Sequence, residues 1–113
     1  MPLDDQDRKK GLEILKKMDL LKNDETPVSK DLLKQIIDML YGIIWSRTEQ
    51  LSLQERSMIT LTVLVALNRE NELKSHLRGA KNLGITKEKI EEMILHVAPV
   101  SYTHLTLPTM CVV

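Results

Sequence analysis

At 113 residues the chain fits one domain with a single core and a high ratio of surface to interior, so help from partner subunits is expected. Sixteen basic residues balance sixteen acidic ones and neither sign collects in one half, which removes the electrostatic case for nucleic acid or an anionic membrane. Tyr41, Trp45 and Tyr102 are too few to build a stacking platform for single strands, the lone Cys111 cannot form an internal disulfide, and no apolar run approaches the ~20 residues of a membrane helix.

The start, MPLDDQDRKKGLEILKK, is charged where a secretory signal is apolar, so the expected compartment is the cytoplasm. From about Asp4 to Leu21, Leu12, Leu15, Met18 and Leu21 recur on one face and predict a first amphipathic helix. KNDETPV then reads as a linker, and Ser29 as the N-cap of a second helix from Lys30 to about Arg47. Its predicted inner stripe is Leu33, Ile36, Ile37, Leu40, Ile43 and Ile44, with Trp45 packed between the second and third helices.

Ser52 and Glu55 form an S-x-x-E capping box that opens a third helix, apolar nearly all round from Met58 to Leu67 and read as the buried centre of the domain. ITLTVLV alone has strand character, but the cap and the length favour helix. A fourth helix runs from about Glu70 to Leu83, closed by Gly84 in the left-handed conformation. Thr86 caps a fifth, with Ile90, Met93, Ile94 and Val97 inward and Pro99 as its stop.

Within the fourth helix His76 shares a stripe with Leu73, Leu77 and Ala80. It is either a core histidine satisfied by backbone or the working group of a pocket. His96 reads as a surface or helix-end residue, and no pair of histidines has ligand spacing, so no metal site is expected.

YGIIWSR, LSLQERSMITLTVLVALNR and ELKSHLRGAKNLGITKEKIEEMILHVA together closely resemble the carboxymuconolactone decarboxylase family, of the alkyl hydroperoxidase D-like fold. The resemblance covers roughly Arg8 to Ala98. It implies an all-α, five-helix single domain, residues 1–99, that lacks the family's last helix and assembles as a homo-oligomer, a trimer or hexamer. Residues 100–113 depart from the family pattern. VSYTHLTLPT is similar to one reading frame of a sequencing-library adapter and is read as a non-native tail, the alternative being a native β-prone end. The redox branch of the fold carries C-x-x-C seven and four positions before the histidine, and here those positions are Arg69 and Glu72. A thiol peroxidase is the least favoured reading, because it has no nucleophile.

The activity the resemblance implies is decarboxylation of a small carboxylated lactone or dicarboxylate in aromatic catabolism. The conjugated lactone carbonyl absorbs the electron pair left by carbon dioxide, so no cofactor is expected. The protein must supply an oxyanion stabiliser, a cation for substrate carboxylates and an acid for the ring carbon. His76 suits the acid, because imidazole titrates nearest neutral pH. Glu55 suits the residue that fixes the imidazole, if the start of the third helix meets the middle of the fourth; its capping role is sufficient by itself. Arg47 is the first choice for a carboxylate clamp, against a solvated or ion-paired helix-end role, with Arg56 and Arg78 behind it. The rival from another class is a non-catalytic oligomerising helical module.

Overall fold

The structure, a computed structural model, describes residues 5–20 and 29–101. Helix α1 spans Asp5–Met18. Helix α2, Lys30–Gln35, runs on into a π-helical stretch, Ile36–Ile44. Then come α3, Leu53–Ala66, α4, Glu70–Asn82, and α5, Lys87–Ser101. No strand occurs among the described residues, so the all-α reading holds and ITLTVLV is helix. The KNDETPV linker, Leu21 and nearly all of the tail read as non-native lie outside the described residues.

The caps stand where short polar side chains can reach a free amide. Ser29 Oγ accepts from the Leu32 amide at 3.1 Å, and Thr86 Oγ1 from that of Lys89 at 3.2 Å. Ser52 and Glu55 exchange both bonds of the capping box, at 3.0 and 2.9 Å. Gly84 has φ 83°, as a helix-ending glycine should.

Five expectations need correction, and the first is Ile94 of α5, which is exposed although its spacing predicts the inner stripe with Ile90, Met93 and Val97. In α1 the inward residues are Gly11, Ile14, Leu15 and Met18, whereas Leu12 turns out to solvent. The second helix is α-helical only to Gln35; beyond it the turns widen, as in the bond from the Trp45 amide to the Leu40 carbonyl five residues back, at 2.8 Å. That winding turns Leu40 and Met39 outward and brings Asp38 and Tyr41 inward, which a 3.6-residue period cannot anticipate. Helix α3 is not buried all round: Ile59, Val63 and Leu67, four residues apart, are each about half exposed on its outer face. Pro99 does not stop α5, which continues to Ser101. Proline costs a helix one amide bond and a clash with the carbonyl one turn back, and here the helix absorbs both without ending at Pro99.

Two apolar clusters form. Ile14, Leu15 and Met18 of α1 meet Tyr41, Trp45 and Leu83 in one; Leu61, Ala80, Ile85, Met93 and Val97 from α3, α4 and α5 make the other. Trp45 thus packs with α1 and its own helix, its ring 5.1 Å from Tyr41, with Leu53 at the edge.

Helix α1 lies on the π-helical stretch with backbone against backbone. A Cβ on Gly11 would overlap the Ile37 carbonyl oxygen, and one on Gly42 the Asp7 carbonyl oxygen. One turn away Arg8 grips Asp38 through two bonds of 2.9 Å, and Asp38 is 4 % exposed. The hydrogen bond from Arg8 holds the Asp38 carboxyl below its ordinary range.

Gly42→Ala should therefore destabilise the fold by about 1–3 kcal/mol or more, measured by denaturant unfolding, because both facing atoms are main chain. A variant as stable as the parent contradicts the close approach. Because the folded pKa of Asp38 is depressed, its contribution is complete above the unfolded carboxyl value of about 4 and is lost as pH falls through the folded value. Asp38→Asn should lower Tm at pH 7 and flatten the decline of Tm with acid; an unchanged acid slope would count against the pair.

Candidate functional site

Helices α3 and α4 form an antiparallel pair, and their register decides what can meet His76. The turn at Leu67–Arg69, with Asn68 at φ 57°, joins one pair of ends. At the other, Gln54 Nε2 donates to the Leu83 carbonyl at 3.1 Å. Stepping back from Leu83 to His76 along α4 matches stepping forward from Gln54 to Leu61 along α3, so His76 lies level with the middle of α3. Glu55 is then about 9 Å away along the helix axis, at 1.5 Å per residue.

The structure accordingly does not join the two. The Glu55 carboxylate is exposed and spent on the cap; bonds from the Ser52 amide and hydroxyl region hold it below its ordinary pKa. His76 is partly buried, and its Nδ1 is sealed from solvent with no hydrogen-bond partner. Burial lowers the imidazole pKa, and the Glu72 carboxylate one turn earlier on α4 partly offsets this. Glu72 in turn takes a 2.9 Å ion pair from Arg69. The positions that hold the dithiol in the redox branch are thus occupied by an ion pair beside the imidazole.

The three arginines separate. Arg78 reaches back to the end of α1, donating from Nε and Nη2 to the Asp19 carbonyl at 3.1 and 2.8 Å and pairing with its carboxylate at 3.3 Å. With Asn82 Nδ2 on the Met18 carbonyl at 3.1 Å, and Met18 packed on Gly79, it fastens α1 to α4; Asp19 sits at φ 60° there. Arg56 donates from Nη2 to the Arg47 carbonyl at 3.0 Å, while its Nε is buried without a partner. Arg47 itself is exposed. Ser57, fully buried, also has an unpaired hydroxyl. By the same register Ser57 is level with Ala80, one turn from His76, so two unpaired polar atoms share the α3–α4 seam.

A groove of about 490 Å³ runs between the starts of α3 and α5, lined by Gln54, Glu55, Met58, Ile85, Thr86 and Lys89 among others. Neither His76 nor any of the three candidate arginines lines it. The pocket expected from sequence, imidazole, Glu55 and guanidinium together, is not assembled within one copy of the chain. Sequence reasoning passed over Glu72 as a partner of His76, although the i, i+4 spacing was there to be read. His96 is exposed, as expected, and no cluster of metal-ligating side chains occurs among the described residues. No helix among them is long and apolar enough to cross a membrane.

Residues 30–107 match the model of the carboxymuconolactone decarboxylase family. A 4-carboxymuconolactone decarboxylase of Acinetobacter baylyi is 43 % identical over 68 residues, 60 % of this chain and 50 % of the relative. A nitrosuccinic acid decarboxylase of Metarhizium robertsii is 34 % identical over 73 residues, 65 % of this chain and 50 % of the relative. Peroxisomal protein 2 of Schizosaccharomyces pombe is 37 % identical over 62 residues, 55 % of this chain and 29 % of the relative. The chain thus spans about half the length of the two decarboxylases. No solved structure matches it significantly. Sequence motifs, helical order and family match agree, and the chain belongs to the carboxymuconolactone decarboxylase family.

Proposed function

We propose that the chain carries the acid–base half of a cofactor-free decarboxylase acting on a small carboxylated lactone such as 4-carboxymuconolactone. The observation that carries this reading is the imidazole of His76, sealed on the α3–α4 seam with Nδ1 unpaired, in a chain similar to two decarboxylases. An unpaired buried polar atom is costly, and such sites are retained where chemistry uses them.

In the reaction the bond from ring carbon to carboxylate breaks, carbon dioxide leaves, and the electron pair enters the conjugated lactone carbonyl as a dienolate. A proton from the imidazolium of His76 then bonds to a ring carbon of the dienolate, the lactone carbonyl re-forms, and the neutral imidazole regains a proton from water. Arg47, which is exposed, is the clamp for the substrate carboxylate, because Arg78 is occupied at the Asp19 carbonyl and Arg56 at the Arg47 carbonyl. Glu55 serves α3 as a cap, and within its own chain it does not orient His76. His76→Gln is expected to lower kcat/KM for the lactone by at least about 100-fold, followed by carbon dioxide release. Unchanged turnover in that variant removes His76 from the mechanism.

Second copies of the chain, as a trimer or hexamer, are the proposed partners. The outer face of α3, with Ile59, Val63 and Leu67 about half exposed, supports this. Val63→Asp should shift the assembly toward monomer in light scattering coupled to size exclusion, whereas a parent that is itself monomeric at micromolar concentration contradicts the proposal. The same face supports a second reading, a non-catalytic oligomerising module. That reading requires an assembled protein whose melting temperature is unmoved by lactone or dicarboxylate.

A further inference from the structure

His76 has a charged neighbour that its expected role did not include. Arg69, Glu72 and His76 stand at i, i+3 and i+7 along α4, so all three lie on one side of the helix. Arg69 Nη2 holds Glu72 Oε1 at 2.9 Å, and the Glu72 side chain is 31 % exposed, so it is half withdrawn from water at the rim of the seam. Below it the imidazole presents a buried, unpaired Nδ1. We propose that these residues act as one unit, with Glu72 the positioning carboxylate of the imidazole and Arg69 the group that sets where that carboxylate rests.

The inference rests on the decarboxylase reading for its consequence, though not for its test. A buried imidazole resists charge, so burial alone would leave little imidazolium to deliver at neutral pH. A carboxylate one turn away stabilises the charged ring and gives its N–H a direction. Arg69 competes for the same carboxylate: while it holds Glu72, the field on the ring is partly cancelled. A substrate carboxylate arriving at the exposed Arg69 guanidinium would release Glu72 toward the ring.

Among the described residues, the ionisable groups Arg56, Asp19, Glu92 and His96 on neighbouring elements are either engaged elsewhere or exposed. From α3 the facing level is Leu61, and the nearest cation, Arg56, is bonded to the Arg47 carbonyl. From α1 the facing group is Asp19, engaged by Arg78. On α5, which shares the apolar cluster with α3 and α4, Glu92 and His96 are exposed. Glu72 also accepts from its own backbone amide in the first turn of α4, a purely structural service to the helix start. That service alone would affect stability and leave the imidazole untouched.

The test is a titration of the histidine side chains by nitrogen–proton NMR on the full chain, with the His76 signal assigned through His76→Gln. In Glu72→Gln the His76 midpoint should move to lower pH, and Glu72→Asp, which keeps the charge, should move it back toward the parent. In Arg69→Gln it should move to higher pH, because the carboxylate is no longer shared. His96 should not move in any of them. Where turnover depends on the imidazolium, the loss of lactone turnover with rising pH should begin at lower pH in Glu72→Gln. A His76 midpoint that stays in place in Glu72→Gln overturns the unit, as does an equal movement of His96. A midpoint that moves in a protein without lactone turnover supports the unit and overturns the decarboxylase reading instead.

Discussion

The alignment of α3 against α4 governs everything that His76 can touch. A turn of three residues at one end and the bond from Gln54 to the Leu83 carbonyl at the other set how far each helix runs past its neighbour. A shift of one helical turn would move any side chain by about 5.4 Å, more than enough to make or break a hydrogen bond to the imidazole. With the observed alignment, Leu61 and Ala80 meet in the apolar cluster and the imidazole is left to the carboxylate of its own helix.

The remainder of the fold holds that pair in place. Helix α1 sits on the π-helical stretch through Gly11 and Gly42, where only glycine fits, and is tied by the Arg8–Asp38 fork. Its far end is then fastened to α4 by Arg78 and Asn82 at the carbonyls of Asp19 and Met18. An arginine that the H-L-R-G-A motif made attractive as a substrate clamp is thus a strut, and beside His76 on its own helix stand Glu72 and its ion-pair partner Arg69. What the single copy leaves open is the outer side of α3, and an assembly covering it would also decide which side chains close over the seam.

Much of this was legible in the residues. Ser29, Ser52 with Glu55, Gly84 and Thr86 act locally, through bonds that span three residues or a single backbone angle, and each sits where the sequence put it. The α4 stripe of Leu73, Leu77 and Ala80 likewise packs inward. The failures come from forces with no local signature. Asp38 pairs with a residue 30 positions away, and nothing near it announces a π-helical winding that buries a carboxylate and exposes Leu40. Helix α3 looked central because its apolar residues surround it, yet apolar character does not say whether the covering surface belongs to the same chain. The distance between Glu55 and His76 was legible in principle: a short turn between antiparallel helices fixes which residues are level, and counting outward from Asn68 places His76 at Thr60, within one residue of the Leu61 that the Gln54 bond gives.

The most direct measurement is the set of proton–proton contacts from the His76 ring in an isotope-labelled sample. The observed alignment predicts cross-peaks to the methyl groups of Leu61 and none to the side chains of Gln54 or Glu55. Strong cross-peaks from the ring to Glu55, with Leu61 silent, would contradict the alignment and return the imidazole to the start of α3.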